Sequence, residues 1–287
     1  MRDLRDKVVV VTGAASGIGK ALARGLCAKR AHLALVDIDE ARLTEIATEL
    51  EASGQRVSRH QADVGDRQRM QALPDEVLAE HGRVDVLINN AGVSVGAMFV
   101  DHSIDDAEWL LRINLMGVIY GCKFFLPELL KAESAHIVNL SSMFGIFAMP
   151  GQALYSTSKA GVRAFTEALW TELDGTSVRL TCVHPGGIRT NVIRSARGME
   201  AGDKARAVEL QERFAMPAQR AAAKVIRAIE RDRRRVLIGV DAHIGVFLKR
   251  LFPVGFQRLM TLVFRLGSSR KSSGKSSGGW GGKSSGQ

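Results

Sequence analysis

The alternation of short apolar runs with longer amphipathic stretches constrains this chain more than any other feature. Runs of strand length stand at residues 7–12, 32–37, 57–63, 84–89, 136–141, 178–184 and 236–239. Between them lie helix-length stretches at residues 20–29, 40–53, 68–81, 105–133, 155–173 and 218–231. Apolar strands joined by helical crossovers pair in parallel and need cover on both faces. The expected fold is therefore α/β: a doubly wound, seven-stranded parallel sheet with helices on both sides. A chain of 287 residues holds one such domain with an extension to spare.

The formal net charge of +10 suggests a nucleic-acid partner until it is located along the chain. Residues 1–223 hold 26 Lys and Arg against 27 Asp and Glu, residues 224–265 hold 10 against 3, and residues 266–287 hold 4 against none. The catalytic part is thus nearly neutral, and the charge belongs to the C-terminal fifth, where Trp280 is the single aromatic residue of the last stretch. Basic residues without interleaved aromatics make no stacking platform, so no specific nucleic acid is expected. Cys27, Cys122 and Cys182 are far apart in apolar settings and are expected to be reduced, buried thiols. The seven histidines show no metal-ligand spacing, and no metal is expected. The apolar start at Val8 has too short a run and too acidic a flank for a signal peptide, so a cytoplasmic protein is expected.

Residues 1–243 form the expected catalytic domain. Within it the pattern loosens after His184 into a stretch rich in Arg, Gly and Met, and residues 190–217 are expected to cover the substrate. Residues 244–266 are apolar but interrupted by Lys249, Arg250, Pro253 and Arg258. Those charges argue against a bilayer span and leave peripheral membrane contact open. Residues 267–287 repeat Lys-Ser-Ser-Gly, cannot build a core and are expected to be disordered.

The segment Thr12-Gly13-Ala14-Ala15-Ser16-Gly17-Ile18-Gly19 follows the first strand and opens the first helix. There, backbone N–H groups and the helix dipole hold a diphosphate, and glycines permit the tight turn and close approach. Asp37 ends the second strand, 18 residues after Gly19, where a carboxylate accepts from ribose hydroxyls and repels a 2′-phosphate. Ser16 precedes Gly17 and Ile38 follows Asp37, so the basic partners of a 2′-phosphate are missing. NAD is expected over NADP, which stays the alternative.

With these residues in hand the chain resembles the short-chain dehydrogenase/reductase family over residues 7–190. Gly13, Gly17 and Gly19 stand as in its TGxxxGxG, Asn89-Asn90-Ala91-Gly92 as in its NNAG, and Tyr155-Ser-Thr-Ser-Lys159 as in its YxxxK. Asp63-Val64 resembles the pair set against adenine, and Pro185-Gly186 with Ile188 and Thr190 the segment approaching the nicotinamide. The resemblance implies a Rossmann-type fold, a homodimer or homotetramer, and a tetrad of Asn114, Ser142, Tyr155 and Lys159. It also implies cofactor contacts at Ser16, Ile18, Asn90, Ala91 and Gly92, and from Lys159 to the nicotinamide ribose.

The chemistry of these residue types agrees. Hydride transfer at a carbonyl needs a proton donor at the developing alkoxide, and the reverse reaction needs a base. Lys159 lies one helical turn from Tyr155 and is expected to lower its pKa. Ser142 stands 13 residues before Tyr155, the family's usual interval, with Ser141 as a supporting neighbour. Asn114 sits where a helix interior disfavours it, which suggests a kink or a function. Met143, Phe144, Met149, Gln152, Val192, Met199 and Phe214 are expected to line the cleft and to favour a hydrophobic alcohol or ketone. An NADP-dependent carbonyl reductase and a non-catalytic NAD sensor remain the alternatives.

Overall fold

The computed structural model describes Met1 and residues 3–269. Its strand β1 (Val8–Thr12) is buried along its whole length. Successive side chains of a strand point to opposite faces, and Val9 and Val11 enter one core while Val8 and Val10 enter another. The chain then runs α1 (Gly17–Cys27), β2 (His32–Asp37), α2 (Glu40–Glu51), β3 (Val57–Gln61), α3 (Arg67–His81) and β4 (Val86–Asn89). It continues through α4 (Ile104–Leu111), a π-helical turn (Arg112–Met116), α5 (Gly117–Lys131), β5 (Ala135–Leu140), α6 (Ala153–Glu172) and β6 (Val178–Pro185). The last part holds β7 (Ile188–Arg189), α7 (Ala201–Phe214), β8 (Met216–Pro217), α8 (Ala218–Glu230), β9 (Arg235–Ile238), α9 (Val240–Leu251) and α10 (Gly255–Ser269).

Seven strands form one sheet in the order β3-β2-β1-β4-β5-β6-β9, and every neighbouring pair is parallel. The expected doubly wound, seven-stranded sheet is present. Leu22 and Leu26 of α1, Leu43 and Ile46 of α2 and Val225 and Ile229 of α8 fill one side. Met70 and Leu73 of α3, Phe125 and Leu129 of α5 and Val162 and Leu169 of α6 fill the other. The strand order reverses between β1 and β4, and the crevice at the carboxyl ends of these strands is where such sheets take ligands.

Two stretches differ from expectation. Residues 201–214, expected to be irregular, form α7, which a short parallel pairing of β7 with β8 ties back to the body. The expected boundary at 266 falls inside α10, which runs on to Ser269; the Lys-Ser-Ser-Gly tail from 270 lies outside the described residues. The stretch Ile104–Lys131 is apolar and long enough to cross a membrane by composition, but Val118, Cys122, Phe125 and Leu129 are spent in the core.

Candidate active site

The glycine segment leaves β1 and enters α1 as a turn that the tertiary structure holds tightly. Gly13 and Gly17 have φ of +64° and +52°, a region L side chains rarely occupy. At Gly19 a Cβ would stand 1.9 Å from the Gly13 carbonyl oxygen, so only glycine allows this approach. Ser16 is the N-cap of α1 in an extended conformation, and its side chain makes no capping bond. The first turn of α1 also carries no acidic residue. Its N–H groups therefore lack a side-chain acceptor and face the switch-point crevice, a donor set that fits a dinucleotide's diphosphate. Ile18 packs against the core beneath.

Thr12 and Asn90 brace this turn from β4. Thr12 Oγ1 accepts from the Asn90 N–H at 3.0 Å and the Ala91 N–H at 3.1 Å, while Asn90 Nδ2 donates to the Thr12 carbonyl at 2.8 Å. Asp37 stands at the end of β2 as expected. Its carboxylate accepts from the Ala15 N–H at 2.9 Å and the Asp39 N–H at 3.1 Å, which points it at the glycine turn. Asp63 accepts from the Gly65 N–H at 2.8 Å and pairs with Arg112 at 2.9 Å. Val64 is buried against Gly117, where a Cβ would meet it at 2.8 Å. Thr190 lies against Gly17, 3.2 Å from where a Cβ would stand, so the segment after β6 closes over the turn. Gly186 donates its N–H to the Ile238 carbonyl at 2.7 Å, and Ile188 is buried.

The proton-transfer residues meet on the other side of the same crevice. Tyr155 and Lys159 share one face of α6, with Lys159 Nζ 5.9 Å from the Tyr155 ring centroid. Lys159 is 4% exposed and donates to the Leu140 carbonyl at 2.9 Å. Its burial lowers its pKa to about 8. Tyr155 departs from expectation: burial raises its pKa, and the Ser142 hydroxyl, not Lys159, pulls it back. The reason is geometric, because the ammonium lies over the ring and is held by a backbone carbonyl.

The structure separates the two serines. Ser141 Oγ donates to the Lys159 carbonyl at 2.7 Å and so ties β5 to α6. Ser142 stands against Tyr155 and caps a short turn by accepting from the Phe144 N–H at 3.2 Å. His184, which the sequence suggests is structural, donates from Nδ1 to the Ser142 carbonyl at 3.1 Å. Burial lowers its pKa to about 4, which keeps it neutral and fixes the backbone under Ser142. Asn114 is buried in the π-helical turn, a local insertion frequent at functional sites. Its Oδ1 accepts from the Val93 N–H at 2.8 Å, and its Nδ2 donates to the Val93 carbonyl at 2.9 Å. A Cβ on Gly92 would lie 3.2 Å from Asn114 Oδ1 and 3.4 Å from Lys159 Nζ, so these three groups pack together.

Of the residues expected to line the cleft, Phe144 packs edge-on to Tyr155 with centroids 6.4 Å apart. Gln152 and Met199 meet over Gly96, and the Phe214 side chain lies outside what is described. Sequence reasoning missed three supports. Asp241 accepts from the Gly187 N–H at 2.6 Å and anchors the segment after β6; its only local signal is Gly239, whose φ is +109°. Arg197 stacks 3.7 Å from the Trp109 ring centroid and holds the covering segment to α4. Phe147, buried behind Phe144, carries no signal in the sequence.

The order of these groups along the chain and their convergence at one switch point have a counterpart in known proteins. The model of the short chain dehydrogenase family matches residues 7–201. The chain belongs to that family. SadH of Mycobacterium tuberculosis, which its name calls an oxidoreductase, is 38% identical over 264 residues, 91% of this chain and 96% of that one. A short chain dehydrogenase/reductase of Burkholderia phymatum in complex with NAD superposes with a TM-score of 0.81 at 30% identity, covering 87% of this chain and 95% of that one. A short chain dehydrogenase of Burkholderia cenocepacia in complex with NADP superposes with a TM-score of 0.74 at 27% identity, covering 85% and 100%. As a short chain dehydrogenase, the chain is an oxidoreductase whose structural neighbours hold one or the other nicotinamide dinucleotide.

Proposed function

We propose that the chain interconverts a secondary alcohol and a ketone, with NAD as the redox partner and Tyr155 as the acid and base. The observation that carries this reading is the meeting of Ser142, Tyr155, Lys159 and Asn114 beside the uncapped N-terminus of α1. Bound in that crevice, a nicotinamide dinucleotide supplies or accepts the hydride. Gly13, Ser16, Gly17, Ile18 and Gly19 would hold its diphosphate, and Asp37 its adenosine ribose. Asp63 and Val64 would flank the adenine. Asn90, Ala91 and Gly92 would lie beneath it, and Pro185, Gly186, Ile188 and Thr190 beside the nicotinamide. Ser142 orients the substrate oxygen by hydrogen bonding. Tyr155 Oη gives its proton to that oxygen in reduction and takes it in oxidation. Lys159, positively charged below pH 8 or so, favours the phenolate and binds ribose.

The acidic Asp37 supports NAD over NADP, since no Arg or Lys stands beside it in β2 or at residue 38. Phe144, Phe147 and Met199 around the cleft support a hydrophobic substrate, such as a steroid, retinoid or fatty acyl derivative, over a sugar. Half-buried Tyr120, Phe124, Phe165 and Trp170 on α5 and α6 support a homodimer or homotetramer through these helices, which light scattering after gel filtration would size.

The test is NADH formation over a panel of lipophilic and sugar alcohols, with NAD and NADP, beside Tyr155→Phe. Turnover with NAD on lipophilic alcohols, reduced at least about 100-fold in the variant, is expected. Undiminished turnover in the variant would overturn the role of Tyr155. Dinucleotide binding without turnover on either alcohols or carbonyls would favour a sensor.

A further inference from the structure

The two C-terminal helices have an inner face that is used and an outer face that is not. On the inner side Ala242, Gly245 and Phe256 are buried. Gly245 lets α9 approach so closely that a Cβ there would stand 2.6 Å from the Phe147 ring, and Phe256 meets the same ring edge-on with centroids 5.1 Å apart. The helices are therefore docked on the domain, and their remaining apolar residues are not core awaiting a place. On the outer side Ile244, Phe247 and Leu251 recur at spacings of three and four residues, the period of one helical face, and are 54%, 60% and 54% exposed. Phe252 and Val254 in the connection and Leu262 on α10 continue the exposed surface.

Charge decides what covers this face. Asp241 is the last acidic residue of the chain, and 8 Lys and Arg follow it, with Arg250 and Arg258 exposed on the helices themselves. A two-fold contact with a second copy would set this cationic surface against itself. An anionic bilayer answers both the apolar residues and the charge. The helices are 12 and 15 residues long, short of the ~20 needed to cross a bilayer but suited to lie in its interface. We propose that the outer face of α9 and α10 seats the protein on an anionic bilayer surface. Phe256 touches Phe147, Phe147 touches Phe144 and Phe144 touches Tyr155, so packed rings join the seated helices to the reaction centre. A lipophilic substrate would reach the cleft directly from lipid; this consequence rests on the proposed reaction, whereas the seating does not.

The full chain is sedimented with sucrose-loaded phosphatidylcholine vesicles, with and without phosphatidylglycerol. Phe247→Ser with Phe252→Ser, and Arg250→Glu with Arg258→Glu, are run as paired variants whose folding is checked by circular dichroism. The wild type is expected to pellet with phosphatidylglycerol vesicles and to stay in solution with phosphatidylcholine alone. Each pair of substitutions should weaken partition by about tenfold or more. Wild type that stays in solution with anionic vesicles overturns the proposal. So does a Phe variant that pellets like wild type, which would mean attraction by charge alone. A Phe variant that dissociates an oligomer in the absence of vesicles also overturns it, since a second copy would then cover the face. Turnover is measured separately, so loss of the Tyr155 reaction would leave the partition result standing.

Discussion

Replacing Gly19 by Ala tests the dinucleotide turn at the point where the structure is least forgiving. The new Cβ would lie 1.9 Å from the Gly13 oxygen and 2.6 Å from Asn90 Nδ2. A carbon–oxygen contact needs roughly 3.3 Å, so the backbone of the turn must retreat by about 1.4 Å. No rotamer absorbs this, because the nearest atom is main chain. Such overpacking costs about 1–3 kcal/mol, and losing the Asn90 bond to the Gly13 carbonyl adds about 1 kcal/mol. If the strain falls on the turn, about 2.7 kcal/mol of dinucleotide affinity is lost, roughly a 100-fold rise in Kd. Fluorescence titration with NADH reads the affinity, and thermal unfolding reads the fold. Gly202→Ala is the control: nothing lies within 4 Å of a Cβ there, and a helical alanine should leave stability unchanged or raise it by up to about 1 kcal/mol. Native NADH affinity in Gly19→Ala would refute both the contact geometry and the placing of the dinucleotide at this turn.

The serine pair should separate by readout: Ser142→Ala is expected to lower kcat about 100-fold or more, while Ser141→Ala, losing its bond to the Lys159 carbonyl, should chiefly cost about 1 kcal/mol of stability in urea unfolding. Burial holds His81 and His184 at about 4 instead of 6.5, so the unfolded chain binds protons that the folded one refuses. Stability should therefore fall as pH drops from about 6.5 to about 4, by up to about 1.4 kcal/mol per pH unit for each histidine. His184→Asn should flatten that slope in denaturant titrations at several pH values, and an unchanged slope would count against the burial argument. Burial pushes the Cys122 and Cys182 thiols up to about 12. A thiol reagent at pH 8 should leave both unmodified in the folded protein and label both in guanidinium; rapid labelling of the native state would contradict their burial.

What the sequence by itself determined is local in origin. The period-two and period-3.6 patterns mark strands and helices because one face of each must be buried, and all seven strands of the main sheet lie where those patterns put them. The glycine turn and the Tyr155–Lys159 pair were legible for the same reason: a turn of few residues and one helical turn are set by nearby backbone. The tertiary structure decided what depends on packing across distance. Ser141 and Ser142 are adjacent and alike in sequence, and only the docking of α6 on β5 turns one toward the Lys159 carbonyl and the other toward Tyr155. The same docking holds the Lys159 ammonium over the ring and leaves burial to set the direction of the Tyr155 shift. Asp241 reaches Gly187 and Phe256 reaches Phe147 across intervals of 54 and 109 residues. No local periodicity encodes such pairs, because they exist only once sheet order and helix docking have brought those surfaces together.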